Sequence, residues 1–138
     1  LRELPAMHAR RTELALRLAS GLADVHGIRV PLPPDHAEHA FYRLYAYVQP
    51  DELAPGWDRD RILFAIVAEG VPVQYGSCAE LYREQAFASA GLAPADRLPG
   101  ATRTHDTSLA LRVHPTLSDN DIDDVVVAVR KVLEVASK

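Results

Sequence analysis

The sequence predicts an α+β domain, a small and mainly antiparallel three-stranded sheet packed with helices. Three observations point there. Apolar residues recur at helical spacing at both ends of the chain and in one segment between them. Three short segments rich in β-branched, aromatic and other apolar residues, Ala40–Val48, Val71–Tyr75 and Ser108–Val113, are separated by turn-forming stretches. The resulting order is helix, strand, helix, strand, long loop, strand, helix, which helices segregated on one face of a sheet satisfy. If the third strand lies between the first two, every neighbouring pair is antiparallel.

The first helix is expected from Pro5 to about His26, with Met7, Leu14, Leu18, Leu22 and Val25 as its apolar stripe and Arg10, Arg11, Glu13, Arg17 and Asp24 between them. Pro5 suits a first turn, where its missing N–H has no intrahelical partner, and Gly27 is a plausible stop. A chain that opens on Leu1 and a long helix without a preceding strand looks cut from something longer. Ile28–Leu32 can make a short extended piece, ended by Pro31, Pro33 and Pro34, which cannot donate to a ladder. Ala40–Val48 is the clearest strand and is apolar on both faces, so one face should pack on the core and the other under something else. Asp58 is placed to cap a second helix through Ile62, Leu63, Ile66 and Val67, which Gly70 ends. Pro72 puts the Val71–Tyr75 strand at an edge. From Gly76 to His105 the chain makes a long excursion punctuated by Gly76, Gly91, Pro94, Pro99 and Gly100, with one helical turn around Leu81–Ala90. Excursions beyond about 12–15 residues are usually functional or tied down by a neighbour. Ser118 opens the last helix with Asp121 three residues on, a variant capping box, and Ile122, Val125, Val126, Val129, Val132, Leu133 and Ala136 form its buried stripe.

The 138 residues are 48% hydrophobic and 25% charged, enough for one core without disulfides or a structural metal. No run approaches the roughly 20 apolar residues that cross a bilayer, and Leu1-Arg2-Glu3-Leu4-Pro5 lacks the order of a signal peptide, so a cytoplasmic protein with no membrane partner is expected. The formal charge of −4, with 13 Arg and 2 Lys, provides no dense basic stripe for nucleic acid.

Gly76-Ser77-Cys78-Ala79-Glu80-Leu81-Tyr82 follows a short strand, a junction at which backbone can approach a ligand. Tyr75, Ser77, Glu80 and Tyr82 would supply polar groups there. The plainer reading is a turn with Cys78 packed as a small hydrophobe. One cysteine closes no internal disulfide and builds no cysteine zinc cage. As a nucleophile it would need a base and an activating positive charge, and His105 and His114 are distant in sequence. His36 and His39 beside Asp35 and Glu38 read as a solvated loop rather than a metal site. His105 and His114 bracket the third strand, as structural histidines or facing a cleft. Arg43, inside an apolar strand, needs an anionic partner if buried and otherwise snorkels.

Taken together, His39-Ala40-Phe41-Tyr42-Arg43-Leu44-Tyr45-Ala46-Tyr47, Gly56-Trp57-Asp58-Arg59-Asp60, and the run from Gly70 through Tyr75-Gly76-Ser77-Cys78-Ala79-Glu80-Leu81-Tyr82 to Phe87 resemble the C-terminal part of DegT/DnrJ/StrS sugar aminotransferases. The resemblance continues through Thr107–Leu111, His114-Pro115-Thr116-Leu117 and Asp121–Val126, and so covers essentially the whole chain. It implies the C-terminal small domain of a type I pyridoxal-phosphate (PLP) aminotransferase, which covers a site carried mainly by a large domain. It further implies amino transfer to a nucleotide-linked keto sugar, a homodimeric parent enzyme, and the missing large domain as partner. The substrate-side residues would be Tyr75, Gly76, Ser77, Cys78, Glu80, Tyr82 and, less directly, His114.

The chemistry needs a lysine to hold the cofactor as a Schiff base. Here the only lysines are Lys131 and Lys138, in the terminal helix, where the family has no such residue. The chain by itself is therefore expected to have no catalytic residue, no cofactor-binding residue and no metal ligand, with PLP belonging to the parent enzyme. Its first helix, severed from a neighbouring domain, is expected to expose an apolar stripe that seeks a partner copy. A free-standing ligand-binding or regulatory module, with the long loop as its site, explains the missing lysine equally.

Overall fold

The computed structural model describes residues 2–138. Its elements in chain order are α1 (Leu4–Gly21), β1 (Ile28–Arg29), β2 (Arg43–Val48), α2 (Arg59–Ala68), β3 (Val73–Tyr75), α3 (Gln85–Ser89), α4 (Pro99–Thr107), β4 (Ser108–Arg112) and α5 (Asp119–Ala136). The sheet runs β1-β2-β4-β3 and every pair is antiparallel. The last strand therefore does lie between the two longer-range partners expected of it. The sheet has four strands rather than three, because Ile28 and Arg29 pair with Val48 and Tyr47. That strand stays two residues long, and the prolines at 31, 33 and 34 follow it at once.

Alternation in β2 turns Leu44, Ala46 and Val48 inward, and its ladder with β4 places Leu109 and Leu111 on the same buried face. Against them pack Leu14 and Leu18 of α1, Ile62 and Ile66 of α2, and Ile122, Val129 and Leu133 of α5, all within one apolar cluster. The helix α5 lies between α1 and α2 and touches both. The stripe expected on α1 is thus largely covered: Leu14, Leu18 and Leu22 are buried, Val25 is partly buried, and only Met7 remains exposed.

Two boundaries differ from expectation. The helix α1 stops at Gly21 rather than near His26, and Leu22–Val25 form turns bonded back to Leu18, Ala19 and Leu22. Gly21 packs tightly on α5, since a Cβ there would meet Val126 Cγ2 at 2.6 Å. The second difference is α4, a nine-residue helix inside the expected loop. Pro99 occupies its first turn, where a missing N–H costs nothing, so the residue read as a breaker is an initiator. It packs against β2, beside Tyr47, on the side of the sheet away from the other long helices. Helices are therefore not confined to one face. No described helix is long and apolar enough to cross a membrane.

The caps are where the side chains require them. Asp58 Oδ1 accepts from Arg61 N–H at 2.8 Å, and Ser118 Oγ accepts from Asp121 N–H at 3.1 Å while Asp121 Oδ2 accepts from Ser118 N–H at 2.7 Å.

Candidate functional site

The face of the sheet turned away from the core carries Arg43, Tyr45 and Tyr47 of β2 and Gln74 of β3. The segment that leaves β3 is laid along this face. Gly76 N–H donates to the Ser108 carbonyl at 3.2 Å, one residue beyond the β3–β4 ladder. The contact is so close that a Cβ on Gly76 would stand 2.1 Å from Ser108 Oγ, which explains why a residue without a side chain is required. Ser77 then meets Tyr45 through their hydroxyls at 2.7 Å. Tyr75, half exposed, has the Arg59 guanidinium 4.4 Å from its ring centroid. Arg59 in turn donates to the carbonyls of His105 at 2.9 Å and Ser108 at 3.3 Å, tying α2, the end of α4 and the start of β4 together.

Glu80 is the anchor of the excursion. Its side chain is 3% exposed, yet both oxygens are occupied: Arg97 donates to each, Tyr82 Oη donates at 2.6 Å, Thr102 Oγ1 at 3.1 Å and Arg83 at 3.2 Å. The Arg97 guanidinium, with the hydroxyls and Arg83, holds the carboxyl well below the usual carboxylate range in spite of its burial. Glu80 reciprocally raises Arg97. Tyr82 Oη also accepts from Leu98 N–H at 3.0 Å, at the residue before α4. Four residues of a thirty-residue excursion, Tyr82, Arg83, Arg97 and Thr102, are thereby fastened to one carboxylate, which ties the long segment together.

Cys78 is exposed, and its thiol donates to Glu84 Oε1 at 3.3 Å. That carboxylate pushes the thiol pKa up, the opposite of what a nucleophile needs. His114 lies at the other end of β4 from this segment, its Nδ1 2.8 Å from Thr116 Oγ1, so the structure does not bring it to Tyr75–Tyr82. His39 Nδ1 accepts from Phe41 N–H at 3.0 Å and its ring packs edge-on to Phe41. Arg43 bonds the neutral side chain of Gln74 rather than a carboxylate, which is the snorkelling arrangement.

The Tyr45 and Ser77 hydroxyls thus meet on the outer face of the sheet, while Tyr75, opposite Leu109 in the ladder, turns to the other face against Arg59, so the segment from Tyr75 to Tyr82 makes a polar edge to the sheet. The family model for DegT/DnrJ/EryC1/StrS aminotransferases matches residues 1–130. The chain belongs to this aminotransferase family. It is 31% identical to the spore coat polysaccharide biosynthesis protein SpsC of Bacillus subtilis over 97% of its length, and covers 34% of that protein. Among solved structures, the aminotransferase from Psychrobacter cryohalolentis shares 37% identity at a TM-score of 0.87, with 96% of this chain and 36% of that one covered. The aminotransferase TlmJ from Streptoalloteichus hindustanus shares 30% identity at a TM-score of 0.80, with coverage of 96% and 33%. The chain therefore spans about a third of the length of the aminotransferases it matches.

For a DegT-family chain, the placement of its two lysines decides what it can do with a cofactor. Lys131 Nζ donates to Glu69 at 2.7 Å, and Lys138 Nζ donates to the Asp51 carbonyl at 2.9 Å. Both are in or just after α5, and each is therefore engaged by a partner of its own rather than by the Tyr75–Tyr82 segment.

Sequence reasoning singled out Glu80 and Tyr82 but not the residues that organise them. Arg97 and Thr102 lay in a stretch without periodicity, Arg59 looked like one more first-turn helix residue, and Tyr45 looked like a strand aromatic. The available signal was Pro99, which marks a helix start by the same rule applied to Pro5.

Proposed function

We propose that this chain is the C-terminal small domain of a PLP-dependent aminotransferase acting on a nucleotide-linked keto sugar. It covers the active site and contributes substrate-side contacts. The observation that carries the reading is the polar edge at Tyr75–Tyr82, anchored by a buried carboxylate, in a chain that matches one third of its aminotransferase relatives. A loop held rigidly by a scaffold is a favoured location for ligand contacts. In this reading Tyr75, Gly76, Ser77 and Cys78 face the sugar, while Glu80 and Tyr82 act behind them by holding the segment in place.

The reactive amine, the phosphate-binding residues and the acidic partner of the cofactor ring come from the remaining two thirds of the protein, which we propose is a cytoplasmic homodimer. SpsC is named for polysaccharide biosynthesis, which supports a sugar as the amino acceptor.

Mixed with PLP, the 138-residue chain should develop no stoichiometric absorption band of a lysine adduct. Such a band, abolished by Lys131→Ala or Lys138→Ala, would overturn the proposal. In the full-length enzyme, Tyr75→Phe and Ser77→Ala should raise KM for the sugar severalfold with little change in the cofactor spectrum. Unchanged KM in both would remove this edge from the substrate site.

A further inference from the structure

Three arginines line one cleft at the end of the sheet where β2 begins and β4 ends. Arg43 and Arg112 are directly opposed in the β2–β4 ladder, a register in which like charges repel. Arg11 of α1 joins them in lining a cleft of about 320 Å³, whose other walls are Tyr42, Val113 and His114.

None of the three forms an ion pair among the described residues. Arg43 reaches only the neutral Gln74 amide and the ring of Tyr42, 5.4 Å from its centroid. The Nε of Arg11 is shut off from solvent and donates to no acceptor among the described residues. A buried donor left without a partner is costly, and native proteins seldom keep one without a reason.

Scarcity of acid does not explain this. Asp and Glu number 19 against 15 Lys and Arg. Arg10, next to Arg11, binds Glu13 and Asp119, and Arg17 two turns further binds Asp119 and Asp123. Asp121 and Asp124 line the adjoining cleft with Arg112 and His114, but neither stands within ion-pair distance, and Asp121 is already engaged by Ser118. The backbone is also constrained here. Phe41 holds φ at +43°, rare for a bulky side chain, which goes with a Phe41 ring 4% exposed and a Tyr42 side chain 72% exposed at the cleft.

We propose that this cleft binds a compact oxyanion of two or more charges, phosphate or diphosphate, between Arg11, Arg43 and Arg112. Guanidinium forks donate in pairs, so three of them match a group with three or more charged oxygens, whereas a single carboxylate satisfies one fork. The bound anion cancels the Arg43–Arg112 repulsion and meets the Arg11 guanidinium from the cleft. Tyr42 and His114 flank it as hydrogen-bonding groups. The site is separate from the Tyr75–Tyr82 edge, which lies at the opposite end of β4, and does not depend on the function proposed above.

The test is the melting temperature and the amide NMR spectrum of the full 138-residue chain, titrated with pyrophosphate, inorganic phosphate, glutamate or sodium chloride at matched ionic strength. Pyrophosphate should raise the melting temperature saturably, with shifts centred on Tyr42, Arg43, Arg112 and Val113. Phosphate should act at higher concentration, and glutamate should match chloride. A stronger response to phosphate than to pyrophosphate would identify the monophosphate as the fitting ligand. In Arg43→Gln and Arg112→Gln the response should fall at least tenfold, while each variant in chloride melts at or above the wild-type temperature because a repulsion is gone. A rise no larger than that in chloride, or one that survives both substitutions, overturns the proposal. Variants that melt well below wild type in chloride would also overturn it, by showing that the arginines are structural.

Discussion

A single carboxylate controls the order of nearly a quarter of the chain. Glu80 is charged in the fold at pH values where a free glutamate would already be taking up protons, because Arg97 and the surrounding donors favour its ionised form. Its folded pKa is depressed, so the stability it contributes is complete above the unfolded value of about 4.3 and is lost as pH falls below it. The melting temperature of Glu80→Gln should therefore lie below wild type at pH 7, and the gap should close between about pH 4 and the acid limit of folding. A gap that stays constant with pH would show that the charge is irrelevant. Cys78 behaves in the opposite sense: Glu84 keeps its thiol protonated, so Glu84→Gln should speed alkylation by iodoacetamide severalfold at pH 7.5. Gly76→Ala drives a methyl group into Ser108 and should cost about 1–3 kcal/mol, with partial recovery when Ser108→Gly removes the obstacle, measured by urea unfolding.

Between elements, the junction of α1 and α5 combines two kinds of contact of unequal weight. Its rim carries ion pairs of Arg10 and Arg17 with Asp119 and Asp123, exposed except for the half-buried Arg10, and such pairs contribute little where water competes for both charges. Its centre carries Leu14 and Leu18 at 0% exposure. Leu18→Ala should cost about 2–5 kcal/mol, far more than Arg17→Ala, and urea midpoints of the two variants decide the order. Ser118→Ala should cost about 1 kcal/mol, because it removes one half of the capping box at the start of α5. Capped elements were the most legible part of the sequence: Asp58 and Ser118 each announce a helix that begins at the next residue. The helix α4 was not legible in the same way. It has no side-chain cap of its own and only Thr107 is buried, so no apolar period marks it, and its start is held from outside by Tyr82 and Glu80.

For the molecule as a whole, the sequence by itself determined the α+β class, the core stripe of α5, that of α2 save for Val67, which is exposed, and membership of the aminotransferase family, because each rests on periodicity or on a local motif read along the chain. Tertiary structure alone decided that Glu80 is fastened to Arg97 and Thr102 and Tyr82 to Leu98, that His114 stands apart from Tyr75, and that Arg11, Arg43 and Arg112 share one cleft. These pairings join residues 16 to 101 positions apart, and hydrogen bonds and charge contacts at that separation leave no period in the sequence. They are set by how strands and helices cross, which follows from burying the whole apolar surface at once.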